Sequence, residues 1–449
     1  MDTSVGLIAD YAHALRFVDL PVAVVHHCKR CVVDTIGVAL GAFDAEPCRI
    51  ARDMAQRTSV NSGARVIGTG HRTLPELAAF ANGVMARYLD GNDSYLGGGG
   101  HPSDTIAAVL AAADINGSDG PTIITAIALA YEIYYNLWKT ARLRHKGVDN
   151  VFYVTLGSAV GAAKVLGLDR TRIAEAVSLV ITPNIPLDTT RYGLLSMWKG
   201  CAAGNAARNG VFAALLAAAG MTGPEKPIEG AHGLHNLLGK FELLPFGGNT
   251  RPFGINEITL KCFLAVAHAL SPITAALELS RQVAAEDIER VTLYTYKFAW
   301  DVTGREREKW RPTTREAADH SLPYIVAAVL IDGAFSDKLF SHERLRDPRI
   351  HQLIDRIEVE EDPALTRRFP EKVPCRIEIL TRSGERQVAM TDYPRGHYRN
   401  QMTDEEIGAK FRGLAQRALP QRRIDQVLNA LWQLDTAANP DPLFEALKI

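Results

Sequence analysis

The chain has 449 residues, 47% hydrophobic and 22% charged, a balance that predicts a globular protein with a large buried core. Its 50 Lys and Arg residues are matched by 51 Asp and Glu residues, and this near-neutral charge argues against binding nucleic acid or a membrane surface through bulk electrostatics. Binding of an anionic substrate would therefore require a few local cations.

The N-terminus and the cysteines indicate the cellular setting. The N-terminus enters an amphipathic pattern without the basic start and apolar core of a signal peptide, and no apolar run is long enough to span a bilayer. The six cysteines are sparse, and a chain with a large core does not need disulfides. We therefore expect a cytoplasmic protein with reduced thiols.

The first half of the chain is rich in Ala, Leu and Gly, with apolar residues at helical spacing. Thr73 and Glu76 have the spacing of a capping box, which predicts that a helix starts at Thr73. Small residues in the last of these helices would let it pack closely in a buried bundle. The predicted helices are 21–42, 73–88, 103–113, 121–138, 151–166, 171–179 and 197–220.

Near Ile255 the sequence pattern changes, and the second half is predicted to be a mixture of strands and helices. A Ser-Gly turn within 382–385 predicts a hairpin between the last two strands. The predicted strands are 290–296, 354–359, 373–380 and 387–390, and the predicted helices are 263–279, 322–330 and several within 403–449. The fold class is therefore mainly α, with an all-helical domain built from residues 1–257 and 395–449 and an inserted α+β lid domain of residues 258–394.

The segment 87–104 is the most informative stretch for function. It combines Asp90, Asp93, Ser94 and His101 around four consecutive glycines, between the end of one helix and the start of another. Carboxylates and imidazoles beside a flexible loop on a rigid scaffold are typical of proton-transfer sites. The structural alternative is that the aspartates and Ser103 only cap the loop and the next helix.

Three further positions each have a functional and a structural interpretation. Lys199 opens a helix of small apolar residues, so its ammonium either reaches solvent or meets an anion such as a substrate carboxylate. His268 lies on a predicted apolar helix, where a core histidine is the more common outcome. The run Asp319-His320-Ser321 lacks a nucleophile turn and fits a helix cap better than a hydrolase triad.

Other motifs do not support a metal or cofactor site. Cys28 and Cys31 have metal-ligand spacing, but they lie inside a predicted helix without a second Cys/His pair. The segment 233–240 is one residue too long for a phosphate-binding loop, and the glycine run 97–100 does not follow a strand as a dinucleotide site requires. These motifs therefore give no support for a metal site, a phosphate-binding loop or a dinucleotide site.

Taken together, the order and spacing of these stretches resemble the MmgE/PrpD superfamily, which includes 2-methylcitrate dehydratase, cis-aconitate decarboxylase and an iminodisuccinate epimerase. The matching segments span nearly the whole chain. They are 34–37, 89–94 with 101–103, the Lys199 helix, 220–224 with 228–230, 318–324, and 393–397 with 402–406.

The resemblance implies a homodimer of helical and lid domains, with no required cofactor and an active site in the cleft between the domains. It places four residues on active-site positions: Asp90, His101, Lys199 and His268. We assign substrate binding to polar residues of the same stretches: Asp93, Ser94, Lys261, His320, Ser321 and Tyr324.

The resemblance implies dehydration of a small tricarboxylic acid such as 2-methylcitrate, without a metal. The decarboxylase branch has a histidine shortly before the helix at Val151, and the segment 147–150 has none, which favours the dehydratase branch. The hypothesis gives proton abstraction to His101 or Asp90, protonation of the leaving hydroxyl to His268 and carboxylate binding to Lys199, with Ser94 and His320 as orienting partners. Decarboxylation, epimerisation and a non-catalytic dimer remain the alternatives.

Overall fold

The computed structural model describes residues 2–141, 143–193, 195–248 and 250–449, and most of these residues are helical. The helices of the first half are α1 Thr3–Ala14, α2 Val22–Gly41, α3 Glu46–Gln56, α4 Pro75–Tyr88, α5 Ile106–Asn116, α6 Gly120–Thr140, α7 Val151–Val165, α8 Arg170–Ile181, α9 Trp198–Ala218 and α10 Leu234–Leu238. Those of the second half are α11 Leu270–Leu279, α12 Lys297–Ala299, α13 Arg315–Ala318, α14 Leu322–Asp332, α15 Pro348–Ile354, α16 Pro363–Thr366, α17 Asp404–Ala415, α18 Gln421–Trp432 and α19 Asp441–Ala446.

The strands form one short ladder and one larger sheet. Strands β1 Ala64–Arg65 and β2 Arg72–Thr73 pair antiparallel. The sheet has the order β4-β3-β5-β6, in which only the β3–β4 pair is parallel. Its strands are β3 Ile288–Thr295, β4 Ile357–Glu361, β5 Cys375–Thr381 and β6 Arg386–Thr391. The antiparallel β5–β6 pair confirms the predicted hairpin.

The helical periodicity of the first half is confirmed, and the small residues of α9 have the predicted effect. Gly204 of α9 lies against Gly83 of α4, where an added Cβ on Gly83 would come within 2.8 Å of the Gly204 Cα. A Cβ on Gly204 would lie 2.7 Å from the carbonyl oxygen of Phe80. The backbones of α4 and α9 therefore meet without side chains between them, which brings the N-terminus of α9 close to the end of α4.

Two predicted boundaries are wrong. Thr73 belongs to β2 and donates its hydroxyl to the carbonyl of Ala55 at 2.7 Å, so no capping box forms and α4 begins at Pro75. The segment 263–266 is not helical: a 3₁₀ turn, Ala267–Ala269, precedes α11, and His268 lies on this turn rather than on an apolar helix. Tertiary contacts, which local periodicity does not report, decide both boundaries.

Buried apolar side chains form two large clusters, and the first of them draws on two separate stretches of the chain. One cluster draws its members from residues 5–264 and again from residues 402–447, and the other from residues 265–389. The C-terminal helices reach the first cluster through ion pairs as well, because Lys410 of α17 bonds the carboxylate of Asp34 on α2 at 2.6 Å. The polar loop after α4 lies where these two clusters meet.

The described helices carry no membrane-spanning segment, since none combines the length and the apolar character that a crossing requires.

We predict that Gly204→Ala lowers the thermal midpoint of unfolding, because its Cβ would press on backbone atoms of α4. Overpacking of this kind costs about 1–3 kcal/mol. The matched control is Gly413→Ala on α17, where an added Cβ has no neighbour within 4 Å. That change should be neutral or stabilising by up to ~1 kcal/mol. Calorimetry of both variants tests the α4–α9 contact, and an unchanged midpoint for Gly204→Ala would contradict it.

Candidate active site

The loop between α4 and α5 shapes one wall of a cavity. Ser94 exchanges two backbone hydrogen bonds with Thr259, at 2.8 and 3.0 Å, which tie the loop to the segment before α11. Gly100 has a φ of +68°, and an added Cβ there would lie 2.3 Å from Asn150 Nδ2. A side chain at position 100 would therefore collide with Asn150 and Tyr134.

The cavity is bordered by residues from both apolar clusters and from the loop. Its charged lining consists of four cations and one carboxylate: Arg87, Arg144, Arg191, Lys309 and Asp90. Three histidines also line it: His101, His268 and His320. An excess of cations in a partly enclosed space attracts an anionic ligand, and the histidines supply groups able to exchange protons.

Asp90 is the centre of the charged network. Its side chain is buried, and its carboxylate lies 2.5 Å from Lys261 Nζ, 3.0 Å from Arg87 Nη1 and 3.1 Å from Lys199 Nζ. Burial alone would raise the pKa of the carboxyl group, but Arg87, Lys261 and Lys199 outweigh it and hold the pKa of Asp90 well below its usual range. The carboxylate is therefore ionised and a weak base.

The backbone at Asp90 adopts an uncommon conformation. Its φ is +52°, the only positive value among the described non-glycine residues, which is the left-handed region that aspartate adopts more readily than most side chains. Lys261 also donates to the backbone carbonyl of Asp90 at 2.8 Å and to that of Ala265 at 3.2 Å. Lys261 thus donates to both the backbone carbonyl and the carboxylate of Asp90, and its N–H groups find acceptors in the protein interior.

Lys199 joins Asp90 to a second carboxylate. Its ammonium donates to both oxygens of Asp319, at 2.8 and 2.9 Å, while remaining 3.1 Å from Asp90. The first turn of α9 carries the lysine, and the tight α4–α9 contact places that turn beside Asp90. Lys199 is buried and is not part of the cavity lining, so its charge affects the cavity through its ion pairs with Asp90 and Asp319.

His101 is held in one tautomer. Its Nδ1 lies 2.5 Å from the backbone carbonyl of Asp93, which only accepts hydrogen bonds, so Nδ1 carries the proton. Burial, together with the nearby Arg87 and Lys261, lowers the pKa of His101 well below its ordinary value. The neutral ring therefore presents the lone pair of Nε2, which lies 3.6 Å from Asp90 Oδ1.

Asp93 supports the loop and does not line the cavity. Its carboxylate accepts from the Ser103 amide at 3.1 Å, from the Ser103 hydroxyl at 2.6 Å and from the Tyr131 hydroxyl at 2.7 Å. Burial raises its pKa to about 6. The structural reading of Asp93 as a cap for the turn Pro102–Thr105 therefore describes its side chain, while its backbone carbonyl orients His101.

His268 lines the apolar side of the cavity. Its Nδ1 shares a hydrogen bond of 2.5 Å with the Tyr296 hydroxyl, and its ring meets Phe298 edge-on at 5.0 Å between centroids. Burial is the largest cause that lowers the pKa of His268 to about 3. No carboxylate contacts this ring among the described hydrogen bonds and ion pairs, and the attraction of the more distant Asp90 does not outweigh burial.

His320 differs from His268 in its partner. Its Nδ1 lies 2.5 Å from Asp319 Oδ1, and since that carboxylate is ionised, Nδ1–H donates the hydrogen bond. Burial first, and then the charge of Lys199, lowers the pKa of His320 to about 4, while Asp319 and Asp90 oppose the shift. The ring lines the cavity with its Nε2 side unbonded to the protein in the described contacts.

The other predicted substrate-binding residues lie in different surroundings. Ser94 lines the cavity, with its hydroxyl 3.3 Å from the Tyr95 carbonyl. Ser321 is the N-cap of α14, as its capping reading predicts, and accepts from the Tyr324 amide at 3.2 Å. The Tyr324 hydroxyl donates to the Leu339 carbonyl at 2.6 Å inside the second apolar cluster. The structure therefore brings neither Ser321 nor Tyr324 to the cavity.

Sequence reasoning missed several residues of the site. Arg87 precedes Asp90 by three residues, and this spacing is a usable signal for an ion pair near a helix end. The sequence pattern favours a helix cap for Asp319 over a hydrolase triad, and neither interpretation makes it the partner of Lys199. Distant segments supply the rest, without a local pattern to find them: Arg144, Asn150, Arg191 and Lys309.

The donor atoms of Asp90, Asp319 and His320 lie close enough together to suggest a metal site among the described residues. The ammonium of Lys199 already lies within hydrogen-bond distance of both carboxylates. Lys261 and Arg87 add two more positive charges around Asp90. A divalent cation would have to displace a lysine from a cluster that already has three cations around two carboxylates, so these residues fit a metal poorly.

Comparison with known proteins places this chain in a family. A model of the MmgE/PrpD N-terminal domain matches residues 6–243, and one of the MmgE/PrpD C-terminal domain matches residues 263–434. The cavity lining draws on both matched regions.

Full-length relatives agree with the domain matches. The 2-methylcitrate dehydratases of Salmonella typhimurium and Escherichia coli are each 30% identical to this chain, covering 89% of it and 87% of their own length. The cis-aconitate decarboxylase of Mus musculus is 24% identical and covers 98% of this chain and 92% of its own. Since both halves and nearly the whole length match, the chain belongs to the MmgE/PrpD family of enzymes.

Proposed function

We propose that this protein is a hydro-lyase that removes water from a small tricarboxylic acid of the 2-methylcitrate type without a metal ion. The cavity that combines four lining cations with a single carboxylate and three histidines carries the proposal. The dehydratase names of the relatives at 30% identity support the reaction type.

The lining cations would bind the substrate carboxylates. Arg191 is oriented by Asp149 at 2.9 Å and by the backbone carbonyl of Lys199, also at 2.9 Å. Among the described residues, the ion-pair partner of Arg144 is the distant carboxylate of Asp188 at 4.0 Å, so the donors of Arg144 can turn to a ligand. Guanidinium groups bind carboxylates in a bidentate manner, which fixes the acid relative to the histidines.

His101 is the better candidate for the base that takes the proton from carbon. The hypothesis from sequence left this role open between His101 and Asp90. Asp90 is ionised, but its oxygens already lie close to three cations, which compete with a substrate proton for them. His101 is neutral and presents the lone pair of Nε2, with its orientation held by Asp93.

The role of Lys199 changes accordingly. We expected it to bind a substrate carboxylate, but its ammonium bonds Asp319 and Asp90 in the interior. We now propose that Lys199 holds both aspartates ionised and that the lining cations bind the substrate. Lys261 would support Asp90 in the same way from the opposite side.

We further propose that residues 258–394 act as a lid on the helical body and that the protein forms a homodimer. Cavity residues come from both apolar clusters, so a movement of one against the other would open the site. Two large apolar side chains that line a second pocket, Leu187 and Trp198, are 65% and 48% exposed, which supports a partner surface there.

The first test is turnover by chelator-treated protein with 2-methylcitrate, citrate or cis-aconitate, followed by ultraviolet absorbance and mass. We expect a conjugated alkene and loss of water from 2-methylcitrate. Release of carbon dioxide from cis-aconitate would identify a decarboxylase instead. Inversion at a carbon without a change of mass would indicate an epimerase. Turnover of none of the three acids would contradict the proposal.

The second test addresses the base. We expect His101→Gln to lower kcat by about 10²- to 10⁴-fold, the usual contribution of a positioned general base, with a much smaller change in KM. His342→Gln is the matched control, because His342 is exposed and outside the cavity. Steady-state kinetics with a circular dichroism check compares the two variants, and full activity of His101→Gln would refute the assignment.

The third test uses pH. Burial is the largest cause that lowers the pKa of Lys261 to about 8, so this lysine loses its charge as the pH rises through that value. Asp90 would then repel an anionic substrate more strongly. We expect kcat/KM to fall above about pH 8, mainly through KM, and Lys261→Arg to move this fall to higher pH because arginine stays charged. The same alkaline limb in both proteins would contradict the role of Lys261.

A further inference from the structure

His320 and His101 stand at the two ends of one chain of hydrogen bonds and ion pairs. From His320, the contacts run to Asp319 at 2.5 Å, to Lys199 at 2.8 Å and to Asp90 at 3.1 Å. His101 Nε2 then lies 3.6 Å from Asp90. Both rings have Nδ1 occupied by an acceptor and both line the cavity, so each offers Nε2 to a ligand.

The acceptors at the two Nδ1 atoms differ in charge. His101 donates to a backbone carbonyl, which is neutral, whereas His320 donates to the carboxylate of Asp319. An ionised acceptor stabilises an imidazolium more than a carbonyl does. A bound tricarboxylate adds negative charge that favours protonation of both rings. His320, with its own carboxylate, is the ring that gains more.

We propose that His320 is the acid that protonates the leaving hydroxyl, and that Asp319 is the positioning residue that holds its Nδ1–H and balances its charge. This assignment rests on the proposed dehydration, and it replaces His268 in that role. His268 bonds a tyrosine hydroxyl among aromatic rings and has no anionic partner there, so its environment opposes an imidazolium.

The proton and electron transfers balance without a further reactant. His101 Nε2 takes the proton from carbon, and the electrons of that C–H bond form the new double bond. The C–O bond breaks with its electron pair on oxygen, which takes the proton of His320 Nε2 and leaves as water. His101 is then protonated and His320 neutral, and exchange of one proton with solvent restores the starting state.

The surroundings of His320 define which variants are informative. The ionisable groups that act on the charge of His320 are Lys199, which opposes its protonation, and Asp319 and Asp90, which favour it. The charge of His320 in turn lowers the pKa of His268. Asp319→Asn keeps the shape of the side chain but lets an amide donate to Nδ1, which moves the ring proton to Nε2 and removes the anion. Asp319→Glu restores the anion.

The first experiment separates proton abstraction from water loss in D₂O, with 2-methylcitrate as the probe. His320→Gln should slow water loss by about 10²-fold or more while deuterium still enters the carbon of the unreacted acid. His101→Gln should slow both processes. Asp319→Asn should behave like His320→Gln, with partial recovery in Asp319→Glu, and His268→Gln should retain more water loss than His320→Gln. Water loss by His320→Gln within threefold of the unaltered protein would overturn the proposal.

The second measurement does not depend on turnover. In protein labelled with ¹⁵N-histidine, the His320 resonances, assigned by their loss in His320→Gln, should show Nδ1 protonated in the free protein. Addition of tricarballylate, a tricarboxylate without a hydroxyl to lose, should protonate Nε2 as well. A ring that stays neutral, or that carries its proton on Nε2 in the free protein, would overturn the assignment. Absence of turnover in the unaltered protein would instead refute the proposed function.

Discussion

The site depends on the burial of one ionised carboxylate. A lone Asp90 side chain in the interior would be too costly to ionise, and the protein offsets this cost with three cations at hydrogen-bond distance. These cations come from α4, from α9 and from the segment before α11, so a single charge fixes the relative positions of three parts of the chain. The left-handed backbone at Asp90 is acceptable because Lys261 bonds its carbonyl and its carboxylate together.

Around this ion cluster, hydrogen-bond acceptors decide what each histidine can do. Burial is the largest cause that lowers the pKa of all three rings, so burial does not distinguish them. A carbonyl, a tyrosine hydroxyl and a carboxylate at the respective Nδ1 atoms do distinguish them. Different hydrogen-bond partners can in this way give two histidines of one site different proton affinities, so that one can act as a base and the other as an acid.

Lys199 lies between Asp90 and Asp319, and together with Lys261 and Arg87 it offsets their charge. An ammonium has three hydrogen-bond directions and no open coordination position. In the proposed reaction, polarisation of the substrate comes from the lining guanidinium groups, which keep their charge at any working pH. The close contact of α4 and α9 contributes to this arrangement, because it places the ammonium of Lys199 beside Asp90.

The sequence by itself determined the helical first half, the hairpin, the family resemblance and the polar loop that contains Asp90 and His101, since these follow from periodicity, turn chemistry and motif order. It did not determine the start of α4 or the turn at His268, where Thr73 and Tyr296 find partners far away along the chain. The cation set and the Asp319–His320 pair were also decided by tertiary structure. Their members are separated by up to about half the chain, and the charge of a buried group depends on neighbours that only folding brings within a few ångströms.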